Sequence, residues 1–324
     1  MIGYILKRIL NLIPVFIGIT LISFAVIHLA PGKPTDLMME MNPKADYEAQ
    51  ERLDEIFGLD RPLHVQYLTW LKKILVLDFG ISFVDGRPVL KKIAERMPVT
   101  ILINVLALII IISVAVPIGV KSAVARGGLF DKASTIFVFA GFAMPSFWLA
   151  LILMSFFSVR LGWFPVSGIT SLDFENFSIF GKIFDIAHHL VLPLIVASIG
   201  GLAGFSRYMR QSMLGVLEED YIRTARAKGL DESTVIYGHA LKNALLPIVT
   251  ILGLSIPGLI SGSVIFESIF NIPGMGRLMV ESVFTRDYNT VMAGLVLSAL
   301  LTLLGNLIAD LTYFYIDPRI KAGG

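Results

Sequence analysis

Long stretches without charged side chains are the dominant pattern along this chain. Between Arg8 and Lys33 there are 24 consecutive residues without Asp, Glu, Lys or Arg, and comparable runs recur to the end of the sequence. A charged side chain at the centre of a membrane helix costs roughly 2.5–3.5 kcal/mol, so membrane spans exclude such residues. Six uncharged runs of 21 to 27 residues meet this condition: 9–32, 97–120, 133–159, 186–206, 243–266 and 288–309.

The length of these runs predicts the fold class. At a rise of 1.5 Å per residue, each run forms a helix long enough for a hydrocarbon core of about 30 Å. The composition agrees, because only 16% of the residues are charged, against about a quarter in soluble domains. The first run is longer than the apolar part of a signal peptide, so we interpret it as a retained span. We therefore predict an all-α polytopic membrane protein with six transmembrane helices.

The distribution of basic residues predicts the orientation. With the N-terminus in the cytoplasm, the inner segments hold 13 Lys and Arg residues and the short outer loops hold 4. This asymmetry favours both termini inside, and the long 33–96 loop does not count because long loops cross largely regardless of charge. The predicted organisation is a first span in 1–32, an external loop in 33–96, and a five-span core in 97–324 that contains a cytoplasmic loop at 207–242.

Some local features modify this outline. Four apolar residues of the external loop recur at near-helical spacing, with two lysines on another side, which predicts an amphipathic helix; they are Val65, Leu68, Leu71 and Leu75, with Lys72 and Lys73. Trp163 and Phe164 in the second external loop suit a membrane interface.

Prolines, which remove a backbone donor and tend to kink a helix, interrupt the spans: Pro14, Pro117, Pro145, Pro193, Pro247 and Pro257. Packing or a path that opens and shuts would each explain them.

What the sequence lacks narrows the classes of function. The interiors of the runs contain no carboxylate or basic group, whereas a proton-coupled carrier usually needs one at mid-membrane. No G-x-x-x-x-G-K-[ST] phosphate loop, H-E-x-x-H or G-x-S-x-G motif is present, so we expect neither ATP hydrolysis nor hydrolase chemistry in this chain. The absence of cysteine removes thiolate metal sites. Energised transport would therefore draw its energy from another chain.

The 217–247 segment is the most informative part outside the spans. Acidic residues begin a short helix, basic residues follow in its last turns, and Gly229 suits the left-handed position that ends a helix. Asp231 can cap a second helix that leads into the fifth span. The residues alone leave two interpretations open: a solvated connector, or a rigid element that a partner contacts.

Sequence motifs favour the second interpretation. DYIRTARAKGL, followed by HALKNALLPIVT, resembles the cytoplasmic EAA loop of binding-protein-dependent ABC permeases, in the form used by the dipeptide/oligopeptide/nickel subfamily. The resemblance covers most of the chain in order, through HLAPGKP, GLDRPLHVQYLTWL, FGISFVDGRPV, LGWFPVSG, IPGMGRL and DPRI. The long external loop and the DPRI end are similar to the B-type subunit of that subfamily.

The resemblance implies a type I ABC importer permease in a bacterial or archaeal inner membrane, in contact with lipid and with no nucleic acid partner. It implies a second permease subunit, expected to be a paralogue, two cytoplasmic ATPase subunits that bind ATP and Mg, and an external solute-binding protein. The chain itself would need no cofactor. The implied solutes are di- and oligopeptides, with nickel chelates, glutathione or oligosaccharides as alternatives. A stand-alone secondary carrier, an exporter and an intramembrane enzyme are the competing classes.

The same resemblance designates an ATPase-coupling helix in the cytoplasmic loop. Its residues are Asp220, Tyr221, Arg223, Thr224, Ala225, Arg226, Ala227, Lys228 and Gly229. Tyr221 is expected to fill a groove on the ATPase, Arg223 and Lys228 to pair with acids on its rim, and Gly229 to set the turn. In an alignment on Gly229, the glutamate of the general motif falls on Arg223, which puts in doubt any ion pair expected from a glutamate.

Overall fold

The computed structural model describes residues 2–29, 35, 51–52, 54–55, 58–255 and 258–316. In chain order its helices are α1 (Ile2–Leu29), α2 (Leu63–Leu75), α3 (Val89–Val124), α4 (Leu129–Ala143), α5 (Ser146–Leu153), α6 (Ile179–Leu217), α7 (Asp220–Ala227), α8 (Leu241–Ala244), α9 (Leu246–Ser255), α10 (Gly258–Ser261), α11 (Val264–Ile269), α12 (Met275–Phe284) and α13 (Tyr288–Ile316). Two π-helical stretches, Met154–Arg160 and Thr234–Ala240, and a 3₁₀ turn, Phe174–Asn176, complete the elements. This composition confirms the all-α class.

The predicted spans correspond to long apolar helices. Among the described residues, five stretches are long and apolar enough to cross a membrane: Leu10–Leu29, Val89–Val124, Ile179–Leu217, Leu246–Ile269 and Tyr288–Leu307. A sixth is obtained when Leu129–Ala143 and Ser146–Arg160 are counted as one broken span. The prediction of a polytopic helical membrane protein is therefore confirmed.

The third span is bent where the sequence places Pro145. Helices α4 and α5 meet at an angle of 98° across this break. Met144 has extended backbone dihedrals of φ −77° and ψ 123°, as expected for a residue before proline, which is disfavoured in the helical region. The bend thus agrees with the expected proline kink. By contrast, Pro14 and Pro193 lie inside uninterrupted helices, and Pro257 lies outside the described residues.

The amphipathic helix predicted in the 33–96 loop is present as α2, and part of its predicted aliphatic stripe is exposed. Leu68 and Leu75 are 53% and 71% exposed, whereas Ile74 is only 3% exposed. Ile74 packs in one apolar cluster and Tyr67 in another, and Trp70 contacts both. Aromatic side chains bury more area than leucine, so they select the face that turns inward. Contact of the exposed aliphatic stripe with a membrane interface stays a prediction.

Helix α6 extends beyond the uncharged run at both ends. It begins at Ile179, because Ser178 Oγ accepts a hydrogen bond from Gly181 N at 3.2 Å and caps the first turn. It continues to Leu217, so the first residues of the predicted 207–242 loop are helical. In the preceding loop, Trp163 is 59% exposed and Phe164 is partly buried against a core cluster, and the interfacial position of both residues stays a prediction.

The chain divides into two compact units, residues 1–98 with 274–324, and residues 99–273. The first unit has its core where α2, α12 and α13 meet around Ile93, Leu278 and Val296. Among its described residues, the second unit has two apolar clusters. One of them joins α3, α6 and α7 to the helical segments that follow α7, and it supports the site described next.

Within the second unit, α3 and α6 are in close contact at Gly119. A methyl group at this position would lie 2.6 Å from Met209 Cβ and 2.8 Å from the carbonyl oxygen of Ser206. Neither atom belongs to the end of a flexible side chain, so only glycine permits this approach. The close contact fixes Met209, which is fully buried beneath α7.

Candidate functional site

The candidate site is built around α7, the short helix that follows the long α6. Glu219 is extended and α7 runs from Asp220 to Ala227. Asp220 lies in its first turn and Arg226 in its last. Both placements oppose the partial charges at the ends of a helix, which stabilises a helix too short to persist alone.

The C-terminal end of α7 is closed by two backbone hydrogen bonds. Gly229 N donates to Arg226 O at 2.9 Å, and Leu230 N donates to Ala225 O at 3.4 Å. This pair of bonds is the Schellman arrangement, which requires a left-handed residue after the helix. Gly229 supplies it with φ +76°. The turn predicted from the sequence is therefore present, and its geometry depends on glycine.

The inner face of α7 rests on the apolar cluster of the second unit. Ile222 is fully buried and Ala225 is 7% exposed. They pack with Met209 and Met213 of α6 and with Val235 of the following π-helix, among others. Ala225 was expected to touch a partner directly. Its side chain instead supports the helix from below, because positions three apart share one face of a helix.

The outer face of α7 is exposed and polar. Asp220, Tyr221, Arg223, Thr224, Arg226, Ala227, Lys228 and Gly229 all lie at the surface of the chain. Tyr221 is 41% exposed, and its hydroxyl receives a hydrogen bond from Asn243 Nδ2 at 2.7 Å. The aromatic ring is therefore held in a fixed position at the edge of this surface.

The basic residues of α7 differ in their engagement. Arg226 forms a two-point pair with Glu232, with N–O distances of 3.1 and 2.7 Å. Among the described residues, the Arg223 side chain pairs only with Asp220, one turn away, at 3.3 Å. The Lys228 ammonium makes no hydrogen bond or ion pair with any part of the chain that the structure describes. Arg223 and Lys228 are thus the cations available to a partner, while Arg226 fixes the turn.

Side-chain hydrogen bonds stabilise the turn between α7 and the helical segment that follows it. The side chain of Asp231 accepts hydrogen bonds from Ser233 N, at 3.0 Å, and from Ser233 Oγ. These bonds lower the pKa of Asp231, and the bond from Arg226 lowers the pKa of Glu232. Both carboxylates therefore stay ionised near neutral pH, and the predicted capping role of Asp231 matches the observed contacts.

Two side-chain contacts hold the long helix α6, which leads into α7, to its neighbours. Ser212 Oγ of α6 donates to Ala244 O of α8 at 2.8 Å. Arg210 of α6 pairs with Asp131 of α4 through N–O distances of 2.7 and 2.9 Å. Asp131 Oδ2 also receives the backbone N–H of Gly127 at 2.9 Å. The sequence did not single out this pair, because its two members are 79 positions apart.

These features define a multi-pass helical membrane protein that presents one firmly seated, exposed helix outside its spans. Comparison with known families agrees with this class. Residues 115–322 match the family described as the binding-protein-dependent transport system inner membrane component. Residues 1–104 match the N-terminal part described for the same transport components. The chain belongs to this family of inner-membrane components.

Curated relatives align over nearly the whole chain. The oligopeptide transport system permease protein AppB of Bacillus subtilis (strain 168) is 47% identical over 322 residues, covering 99% of this chain and 100% of the relative. The di/tripeptide transport system permease protein DppB of Pseudomonas aeruginosa (strain UCBPP-PA14) is 39% identical over 337 residues, covering 99% of each. The glutathione transport system permease protein GsiC of Salmonella choleraesuis (strain SC-B67) is 37% identical over 321 residues, again covering 99% of each.

Proposed function

We propose that this chain is the permease subunit of an ATP-driven importer that takes up short peptides delivered by a solute-binding protein. We propose a peptide substrate because the chain is similar over its full length to permeases named for oligopeptides and for di- and tripeptides. The relative named for glutathione fits the same chemistry, because glutathione is itself a small peptide. With a second permease, expected to be a paralogue, the chain would enclose the translocation path.

We infer that α7 is the helix through which ATPase subunits act on the permease. Its support is mechanical: the inner face is packed, the C-terminal turn is closed, and the outer face presents Tyr221, Arg223 and Lys228. A helix held in this way moves as one body with α6 and the segments after it. In this proposal two ATPase subunits bind ATP and Mg, and their closure moves the helix and switches the path from inward- to outward-facing.

This assignment sets the orientation of the chain. The termini and α7 would lie in the cytoplasm, and the 33–96 and 267–287 segments would lie outside, where the binding protein docks. The alternative of a carrier that works alone is disfavoured by the sequence, because the interiors of the uncharged runs hold no Asp, Glu, Lys or Arg that could carry a coupling proton.

Reconstitution tests the proposed function directly. Proteoliposomes with both permeases, both ATPases and the binding protein should accumulate a radiolabelled di- or tripeptide only when ATP is present on the ATPase side. Vesicles without the ATPase subunits should not accumulate the peptide. Complete vesicles supplied with a non-hydrolysable ATP analogue should not accumulate it either. Uptake by the permeases alone along an ion gradient would favour a secondary carrier and would refute the proposal.

A further inference from the structure

A second candidate site lies in the first compact unit, far along the chain from α7. A cavity of about 290 Å³ is bounded by the 82–88 turn, the first two turns of α3, and α12 with the turn that follows it. This volume is at the lower limit of small-molecule sites, which are about 300–1,000 Å³. Its lining is unusually rich in charge, with Leu278 as one of its few apolar members.

The floor of the cavity is a buried polar network. The Asp287 side chain is 1% exposed and accepts hydrogen bonds from Phe83 N at 3.1 Å and Thr290 Oγ1 at 2.7 Å. Lys92, whose side chain is 12% exposed, reaches Ser82 Oγ at 2.9 Å and Asp287 Oδ2 at 3.3 Å. Burying an ion pair costs more free energy of desolvation than burying an apolar pair. The buried Lys92–Asp287 pair holds the 82–88 turn rigidly against the start of α13.

The remaining charges of the lining are almost all paired. Glu95 is bound by Arg87, Asp85 by Lys92 at 3.2 Å, and Glu281 by Arg277 at 2.6 Å. Arg96 differs, because among the described residues its side chain forms neither a hydrogen bond nor an ion pair, although it is partly buried in the lining. A guanidinium in this position offers up to five donors in a fork that matches a carboxylate.

We propose that this cavity binds the free α-carboxylate of a short peptide through Arg96, while the partly exposed carboxylates of Asp85 and Glu281 receive the peptide's ammonium group. The inference rests on the proposed peptide substrate and on the orientation that places both segments outside. A lining that contains many charges but is close to balanced suits a zwitterion better than a simple anion, because each end of the ligand then meets an opposite charge.

The size of the cavity defines the ligand further. Two residues of extended chain span about 7 Å, so a dipeptide fits with both termini inside, whereas a longer peptide would insert only one end. Blocking either terminus removes a charge that the lining would otherwise satisfy. Affinity should therefore fall from the free dipeptide to its amide and to its N-acetyl derivative.

Direct binding tests this site. The complete transporter in nanodiscs, without the solute-binding protein, is titrated with Ala-Ala, Ala-Ala-amide and N-acetyl-Ala-Ala. The Arg96→Gln variant is expected to bind Ala-Ala about 10- to 100-fold more weakly, because a charge-assisted hydrogen bond is lost, and to no longer distinguish the free acid from the amide. Lys91→Gln is the matched control, since Lys91 is an exposed cation near the start of the same helix but outside the cavity, and it should bind within about twofold of the parent.

The outcomes separate this inference from the proposed function. If the transporter imports peptides but Arg96→Gln binds Ala-Ala as the parent does, the cavity assignment is wrong and the function stands. If Arg96→Gln changes only the docking of the binding protein, the assignment is equally refuted. If no peptide is bound or imported while another solute stimulates the ATPase, the peptide substrate itself fails. Gel filtration of the assembled variant and its basal ATPase rate show that it is folded.

Discussion

Replacing Gly229 by valine is expected to leave the chain in the membrane while abolishing solute-stimulated ATPase activity of the assembled transporter. Gly229 occupies the left-handed region with φ +76°, where a side chain branched at Cβ costs roughly 1–2 kcal/mol. A methyl group added at this position would meet no neighbouring atom within 4 Å, so the penalty would come from the backbone and not from a clash. The closed turn would open, and α7 would no longer move rigidly with α6.

Two variants control this experiment. Gly229→Asn should keep most of the stimulation, because asparagine tolerates the left-handed conformation better than other non-glycine residues. Gly215→Ala, at an uncrowded position near the end of α6, should have no effect. Equal amounts of assembled complex must be compared, since a loss of assembly would imitate a loss of coupling. Full stimulation in Gly229→Val would contradict the role assigned to this turn.

Breaking the Asp131–Arg210 pair is expected to produce the largest loss of stability. In Arg210→Met the Asp131 carboxylate, 7% exposed as a side chain, would lose its cation and keep only the N–H of Gly127. Removing one partner of a buried pair costs about 3–5 kcal/mol, and partial exposure of Arg210 places the expected loss near the lower value. Thermal unfolding of the detergent-solubilised complex should show a midpoint lower by several degrees.

The matched control is Arg126→Met. Arg126 pairs with Glu218 at 3.2 Å, but the side chains are 65% and 69% exposed. Exposed pairs contribute about 0–1 kcal/mol, so the unfolding midpoint of this variant should change little. If the two variants unfold at the same temperature, the buried pair does not hold α4 on α6 as we infer.

The spans and the class of fold could be predicted from the sequence because they depend on a single strong effect. Burying a charge in lipid costs free energy, so charged residues bound each run, and each run coincides with a long apolar helix or a broken pair of helices. The end of α7 was predictable for a similar reason. Few residues other than glycine accept its backbone conformation, and Gly229 stands at the right position.

Features that depend on tertiary packing were harder to predict from the sequence. Pro145 predicted a kink, but the sequence does not give the angle of 98° between α4 and α5. The buried face of α2 was selected by Tyr67, Trp70 and Ile74, whose neighbours lie elsewhere in the chain. Ile222, three positions before Ala225, was a local signal for the inward face of α7, but it does not identify the residues that cover that face. Periodicity predicts a helix, but not which of its faces meets a neighbour.

The sequence did not predict the contacts between polar groups that are distant in the chain. Asp131 and Arg210, and Lys92 and Asp287, are separated by 79 and 195 positions, so no local pattern links them. In the sequence, a charge near the end of an apolar run looks like a simple boundary. The structure shows that some of these boundary charges form buried pairs and, around Arg96, line a cavity.

The central claim is that the outer face of α7 docks on ATPase subunits in the cytoplasm. Because the chain has no cysteine, the variant Ala227→Cys carries a single thiol on the exposed face, and Ala225→Cys places the same thiol on the buried face of the same helix. In spheroplasts, an impermeant maleimide should label Ala227→Cys only after permeabilisation, and should label Ala225→Cys weakly or not at all. A thiol cross-linker should join Ala227→Cys to the ATPase subunit. Labelling of Ala227→Cys in sealed spheroplasts would place α7 outside the cell and contradict the account.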